Sequence, residues 1–153
     1  MQDLETWLER VYQADGDRRT LDALYDEWAR DYDQQIWASG NPYIAIATGM
    51  LARHVQDFGA RILDAGCGTG NMAQILHQLG YRNLEGLDPS RGMLAVAERK
   101  EIYQQLYPLY LGADVDLPND TPLERTDIYV KRIAKATEVL KKEFVDPGSG
   151  ESL

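Results

Sequence analysis

The sequence predicts an α/β protein in which N-terminal helices precede an incomplete parallel sheet. Three features carry this expectation. Arg61 to Ala65 is a short apolar run of the kind that makes a buried parallel strand, and a glycine-rich turn follows it at once. Met72, Ile75, Leu76 and Leu79 then fall at helical spacing, closed by Gly80 as a C-terminal cap. Asn83 to Leu87 reads as a second strand that ends at Asp88. Strand, helix and strand in that order imply parallel pairing with right-handed crossovers.

The flanking elements follow the same logic. Leu4, Trp7, Leu8, Val11 and Tyr12 line one face of a helix that ends near Asp15-Gly16-Asp17. Leu21, Leu24, Tyr25 and Trp28 repeat that spacing behind Thr20, which is placed to cap a second helix, and Asp31-Tyr32-Asp33 comes next. Most of these aromatics read as core-facing stripes, whereas Tyr25 and Tyr32 stay open as core or cofactor residues. Asn41-Pro42 signals a third helix, marked by Ile44, Thr48, Leu51 and Val55 up to Gly59. Pro89 and Ser90 open a helix through Met93, Val96 and Ala97 to about Lys100, and Leu106 to Leu111 reads as a third strand. His54 and His77 fall inside helices with no partner that would complete an acid–base pair.

In a sheet of this type ligands sit beyond the carboxyl ends of the strands, where the turn from Gly66 to Gly70 and Asp88 both fall. Gly66, Gly68 and Gly70 open backbone conformations closed to other residues and remove bulk that would keep a ligand from the main chain. A dinucleotide fingerprint wants glycine at the last position of G-x-G-x-x-G, and here that position is Asn71. The pattern Asp-x-Gly-x-Gly-x-Gly, opened by Asp64, suits a ligand whose polar end is an amino acid bearing an ammonium group. Asp88 stands about 20 residues beyond the first glycine, the spacing expected of a carboxylate that accepts from both ribose hydroxyls. Cys67 reads as a small turn residue rather than a nucleophile, because no histidine is placed to activate it.

Composition narrows the classes further. The formal charge of -9 disfavours autonomous nucleic-acid binding and fits a small-molecule substrate better. One cysteine permits no internal disulfide, and two scattered histidines give no cluster at metal-ligand spacing. No apolar run approaches the roughly 20 residues a membrane span needs, and residues 1–9 are acidic and amphipathic rather than signal-like, so a cytoplasmic protein without membrane attachment is expected.

With those residues in hand, the chain resembles the class I S-adenosylmethionine-dependent methyltransferases, and most closely the Williams-Beuren syndrome critical-region methyltransferase-like group. The resemblance covers about residues 21–121. It rests on Tyr25-Asp26-Glu27-Trp28-Ala29 with Tyr32-Asp33, on Ile62 to Gly70, on Gly86-Leu87-Asp88-Pro89-Ser90 with Gly92-Met93-Leu94, and on Tyr107 to Pro118 around Gly112-Ala113-Asp114. It implies a Rossmann-like class I methyltransferase fold with S-adenosylmethionine as cofactor. It also implies that Asp64, Ala65, Gly66, Gly68 and Gly70 line the methionine end and that Asp88 holds the ribose. Pro89 and Met93 would lie against the adenine, Asp114 would accept from its amino group and Val115 would offer a backbone N–H beside it. Tyr25 and Tyr32 would close over the cofactor, and Asp114 keeps its alternative as a turn residue.

The resemblance ends near residue 121. Residues 1–120 hold 10 basic and 19 acidic side chains, whereas residues 121–145 hold 6 basic and 4 acidic. There Val130, Ile133, Thr137, Leu140 and Phe144 mark a basic amphipathic helix. The expected organisation is an N-terminal helix over 1–20, a cofactor-binding half over 21–121, and a diverged helical tail over 122–153 with a disordered end. Read this way, the chain is truncated after its third strand. The leading functional expectation is a methyltransferase acting on a small-molecule acceptor, with no catalytic residue identified. Its rivals are a non-catalytic cofactor-binding or interaction module and, disfavoured by Asn71, a nicotinamide-dependent oxidoreductase. A first strand left as an edge also leads us to expect self-association or marginal stability.

Overall fold

The computed structural model describes residues 2–40 and 42–110, and these form five helices and a three-stranded parallel sheet. Helix α1 spans Leu4–Gln13 and is capped by Asp3, whose Oδ1 accepts from the Thr6 N–H at 2.8 Å. Helix α2 runs over Arg18–Ala38, longer than its spacing suggested, and Asp17 rather than Thr20 stands at its N-cap. Helix α3 covers Tyr43–His54 and stops short of Gly59, because Val55 leaves helical geometry at φ -114°, ψ 89°. The Val55 carbonyl instead accepts the Tyr81 hydroxyl.

The Rossmann-like core follows. Strand β1 (Ile62–Ala65), helix α4 (Asn71–Leu79), strand β2 (Leu84–Leu87), helix α5 (Arg91–Glu98) and strand β3 (Gln105–Tyr107) succeed one another, with strand order β1-β2-β3. Asp64 pairs with Gly86 and Ala65 with Leu87, so the two strands deliver the glycine turn and Asp88 side by side. Gly80 closes α4 in the left-handed conformation that glycine adopts without penalty. The third strand is shorter than expected, and Pro108, which has no N–H to donate to a ladder, follows it directly. The expected residues Asp114 and Val115 and the helix over 130–144 lie outside the described residues.

Two apolar clusters hold these elements. Ile62 and Leu84 on one face of the sheet pack with Ala73 and Leu76 of α4 and with Tyr81, and Leu51 and Val55 join from α3. The second cluster unites Trp7 of α1, Leu24, Trp28 and Ala29 of α2, and Met93 of α5, with Trp7 and Trp28 stacked at 5.4 Å. Buried Gln35 accepts the Trp28 Nε1–H at 2.7 Å, which satisfies an indole that would otherwise lack a partner. On the opposite face of the sheet Leu63 remains 51% exposed.

Helix α2 is seated on α5 by one carboxylate. Asp26 Oδ1 accepts from the Ser90 hydroxyl at 2.6 Å and from the Gly92 N–H at 2.7 Å, while Ser90 Oγ caps α5 by accepting from the Met93 N–H at 3.1 Å. A Cβ at Gly92 would stand 2.7 Å from Asp26 Cα and 2.8 Å from its carbonyl oxygen, and backbone cannot yield as a side chain does. Gly92→Ala should therefore lift α2 from α5 and cost about 1–3 kcal/mol of stability, the usual range for overpacking. An unchanged melting temperature would show that this contact does not seat the helix.

Candidate cofactor site

The carboxyl ends of β1 and β2 open into a cleft of about 270 Å³. Its floor is the turn at Gly66 and Gly68, one wall is Asp88, Pro89, Ser90 and Met93, and the other is Asp22, Tyr25 and Tyr32 from α2. Seven of the residues read from the sequence thus meet in one place: Tyr25, Tyr32, Gly66, Gly68, Asp88, Pro89 and Met93. Asp64, Ala65 and Gly70 do not line it. The pleat explains the first two, since Asp64 turns with Ile62 toward the covered face and Ala65 turns away exposed. Gly70, at the start of α4, faces the ring of Tyr103, which a Cβ there would meet at 2.9 Å.

Asp88 organises the turn. Its Oδ2 accepts from the Gly68 N–H and its Oδ1 from the Ser90 N–H, each at 2.9 Å. Each carboxylate oxygen can accept twice, so both retain capacity for a ligand hydroxyl. The N–H groups of Gly66 and Cys67 both donate to the Leu87 carbonyl, at 2.7 and 3.0 Å, and that of Gly70 donates to the Cys67 carbonyl. These donors are committed within the protein, so a diphosphate would not find in them the cradle that a dinucleotide fold offers.

The electrostatics favour a cationic or hydroxyl-rich ligand. Burial pushes the Asp88 carboxyl above its ordinary range, against the lowering effect of its Ser90 and Gly68 N–H partners, and Asp22 and Asp26 push the same way as burial. Burial raises the Tyr25 and Tyr32 phenols as well, with Asp88 adding to both, so they stay protonated and can donate. The Cys67 thiol is buried and pushed up to about 12, chiefly by burial and then by Asp64 and Asp88, which leaves it without thiolate character near neutrality.

Several residues around the cleft were not read as site residues from the sequence. Asp22 lines the cleft and accepts the Tyr110 hydroxyl, 88 residues away. Asp33 accepts the Thr69 hydroxyl and pairs with Lys100 Nζ at 2.7 Å, and Lys100 also donates to Asn71 Oδ1 at 3.0 Å. Asn71, the residue that broke the dinucleotide pattern, thus joins a polar network tying α2 and the end of α5 to the glycine turn. No local signal marks such a network, because its members meet only in the folded chain.

S-adenosylmethionine offers ribose hydroxyls, an ammonium, a sulfonium and an adenine, and the cleft offers matching chemistry. Asp88 can accept hydroxyls, Asp22 and Asp88 present negative charge, and the Tyr25, Tyr32, Pro89 and Met93 side chains provide apolar and aromatic surface. Gly68 adds room, because a Cβ there would meet no protein atom within 4 Å.

The family described as a methyltransferase domain matches residues 62–142, more than half of the chain. The chain is 38% identical over 93 residues to human methyltransferase-like protein 27, an overlap of 60% of this chain and 38% of that protein. It is 35% identical over 85 residues to the "Putative methyltransferase" of Geobacillus sp. (strain WCH70), covering 54% of this chain and 33% of that one. The chain therefore belongs to the methyltransferase-domain family, whose ordinary methyl donor is S-adenosylmethionine. It spans about a third of the length of the curated relatives it matches. Among the described residues no helix is long and apolar enough to cross a membrane.

Proposed function

We propose that the cleft binds S-adenosylmethionine and that the protein transfers its methyl group to a small-molecule acceptor. The observation that carries the reading is Asp88, fixed at the end of β2 by the Gly68 and Ser90 N–H groups with acceptor capacity to spare. Asp88 holds the ribose, the Gly66 and Gly68 backbone lies along the methionine end, and Pro89 and Met93 meet the adenine. Tyr25 and Tyr32 cover the cofactor from α2, and Asp64 acts from behind the glycine turn. Asp114 and Val115 complete the adenine contacts on the strength of the resemblance alone.

Methyl transfer from a sulfonium is an in-line displacement in which alignment and exclusion of water contribute most, so a nucleophilic acceptor requires no acid–base dyad. The ordered motifs Tyr25 to Ala29, Ile62 to Gly70 and Gly86 to Ser90 support a position within the Williams-Beuren critical-region methyltransferase-like group. The acidic cleft and the net charge of -9 support a small-molecule acceptor over a nucleic acid. We place the protein in the cytoplasm and expect self-association through the outer edge of β1, where no described strand pairs; sedimentation of a monomer at all concentrations would refute the latter.

Titration of the full chain with S-adenosylmethionine and with NAD tests the cofactor. Binding of the former alone is expected, and binding of NAD alone would overturn the proposal. Product formation across a panel of acceptors then separates an enzyme from a module that binds the cofactor without turnover.

A further inference from the structure

We infer that Tyr103 is a positioning residue for the cofactor site, acting through Asp64 from behind the glycine turn. The inference rests on the reading of the cleft as an S-adenosylmethionine site. Tyr103 precedes β3 and its hydroxyl donates to Asp64 Oδ2 at 2.7 Å, across 39 residues. Its ring occupies space vacated by two glycines. A Cβ at Gly70 would meet Tyr103 Cε2 at 2.9 Å, and one at Gly86 would meet Leu106 Cδ2 at 2.7 Å, Cys67 Sγ at 2.9 Å and Tyr103 Cε1 at 3.1 Å. Gly70 ends the turn and opens α4, and Gly86 pairs with Asp64 across β1 and β2. One side chain therefore braces the turn at its helix end, fills the sheet beneath it, and holds the acidic residue that opens the motif.

This arrangement gives Asp64 a task different from the one its motif position suggested. It is 7% exposed and stands outside the cleft lining, so it serves the ligand as a fixed negative charge behind the turn. Removing a carboxylate from water disfavours its charged form, and Asp64 is indeed pushed upward by burial, with Asp88 adding to the rise while the Tyr103 hydroxyl opposes it. The other titratable group beside them is the Cys67 thiol, which is itself raised. The phenol is raised too, by burial and by Asp64, and so keeps the proton it donates. Tyr103 thereby fixes the orientation of Asp64 and helps keep it ionised beneath a cationic ligand.

Tyr103→Phe keeps the ring between the two glycines and removes only the hydroxyl. In the full chain it should weaken S-adenosylmethionine binding by about tenfold and also lower the melting temperature, because buried Asp64 loses the hydroxyl that its carboxylate accepts. The acid limb of binding should also move to higher pH, because Asp64 loses the donor that favours its charged form. The decisive comparison is the double variant. If the hydroxyl acts through Asp64, Tyr103→Phe should have no further effect on affinity in an Asp64→Asn background, whereas a packing role would leave the two effects additive. Unchanged affinity and acid limb in Tyr103→Phe, or additivity in the double variant, would overturn the inference while leaving the cofactor assignment standing. A wild-type chain that binds neither S-adenosylmethionine nor S-adenosylhomocysteine would overturn both.

Discussion

Gly68→Val should abolish binding of S-adenosylmethionine by a chain that still folds. Gly68 lies at φ +53° on the floor of the cleft, and a Cβ built there meets no protein atom within 4 Å. The added Cβ meets nothing across the turn, so the branch it carries would extend into the open volume where a ligand approaches the main chain. The backbone cost is real but bounded, since a side chain forced into the left-handed region costs about 1–3 kcal/mol, below the stability of an ordinary domain. Gly16 supplies the control. It has φ +78°, also with nothing within 4 Å, and sits between α1 and α2 away from the cleft lining. Gly16→Val should show a comparable loss of stability with intact binding, measured by thermal unfolding and calorimetry. If Gly68→Val binds as well as wild type, the glycine at this position serves the turn alone.

The contrast between those two glycines shows what a sequence can and cannot display. The strand-turn-helix from Ile62 to Gly80 was legible because each part has a local cause: an apolar run, a glycine triplet, helical spacing and a glycine stop. Asp88 and the helix start near Pro89-Ser90 were legible for the same reason, although the helix proper begins at Arg91 with Ser90 as its cap. The termini of α2 were not. Thr20 has the residue type of a cap but lies one turn inside the helix that Asp17 opens, and the polar stretch Gln34-Gln35 gives no apolar stripe to extend the helix to Ala38, yet Gln35 is buried and accepts from Trp28 across two turns. The end of α3 depends on Tyr81 reaching back 26 residues to the Val55 carbonyl. Tyr103, Lys100 and Asp26 escaped notice as site residues because their partners lie 29 to 66 residues away in sequence. Periodicity reports which face of an element is apolar, but it does not say which polar side chains will meet across elements.

Replacing Asp88 separates the two tasks its carboxylate performs. Asp88→Ala removes the acceptors proposed for both ribose hydroxyls, each bond worth about 1.5–3 kcal/mol, so affinity for S-adenosylhomocysteine should fall by roughly a hundredfold or more. It also strands the Gly68 and Ser90 N–H groups that the carboxylate now satisfies at 2.9 Å, which should cost about 1–3 kcal/mol each to the extent that water does not replace it. The chain should therefore melt earlier but still fold. The pH dependence distinguishes the tasks further. The folded-state pKa of Asp88 is raised, chiefly by burial, so the native state takes up a proton more readily than the unfolded chain. Its contribution to stability is accordingly full below the unfolded value near 3.9 and is lost as pH rises through the folded value. Cofactor binding runs the other way, because the protonated acid accepts less well from ribose, and affinity should begin to fall above the ordinary aspartate range as the solution is acidified. Comparison of wild type with Asp88→Asn isolates the residue, since asparagine cannot titrate and should lose this residue's share of both trends. If Asp88→Ala binds S-adenosylhomocysteine with wild-type affinity while folded, Asp88 holds the turn and not the ribose.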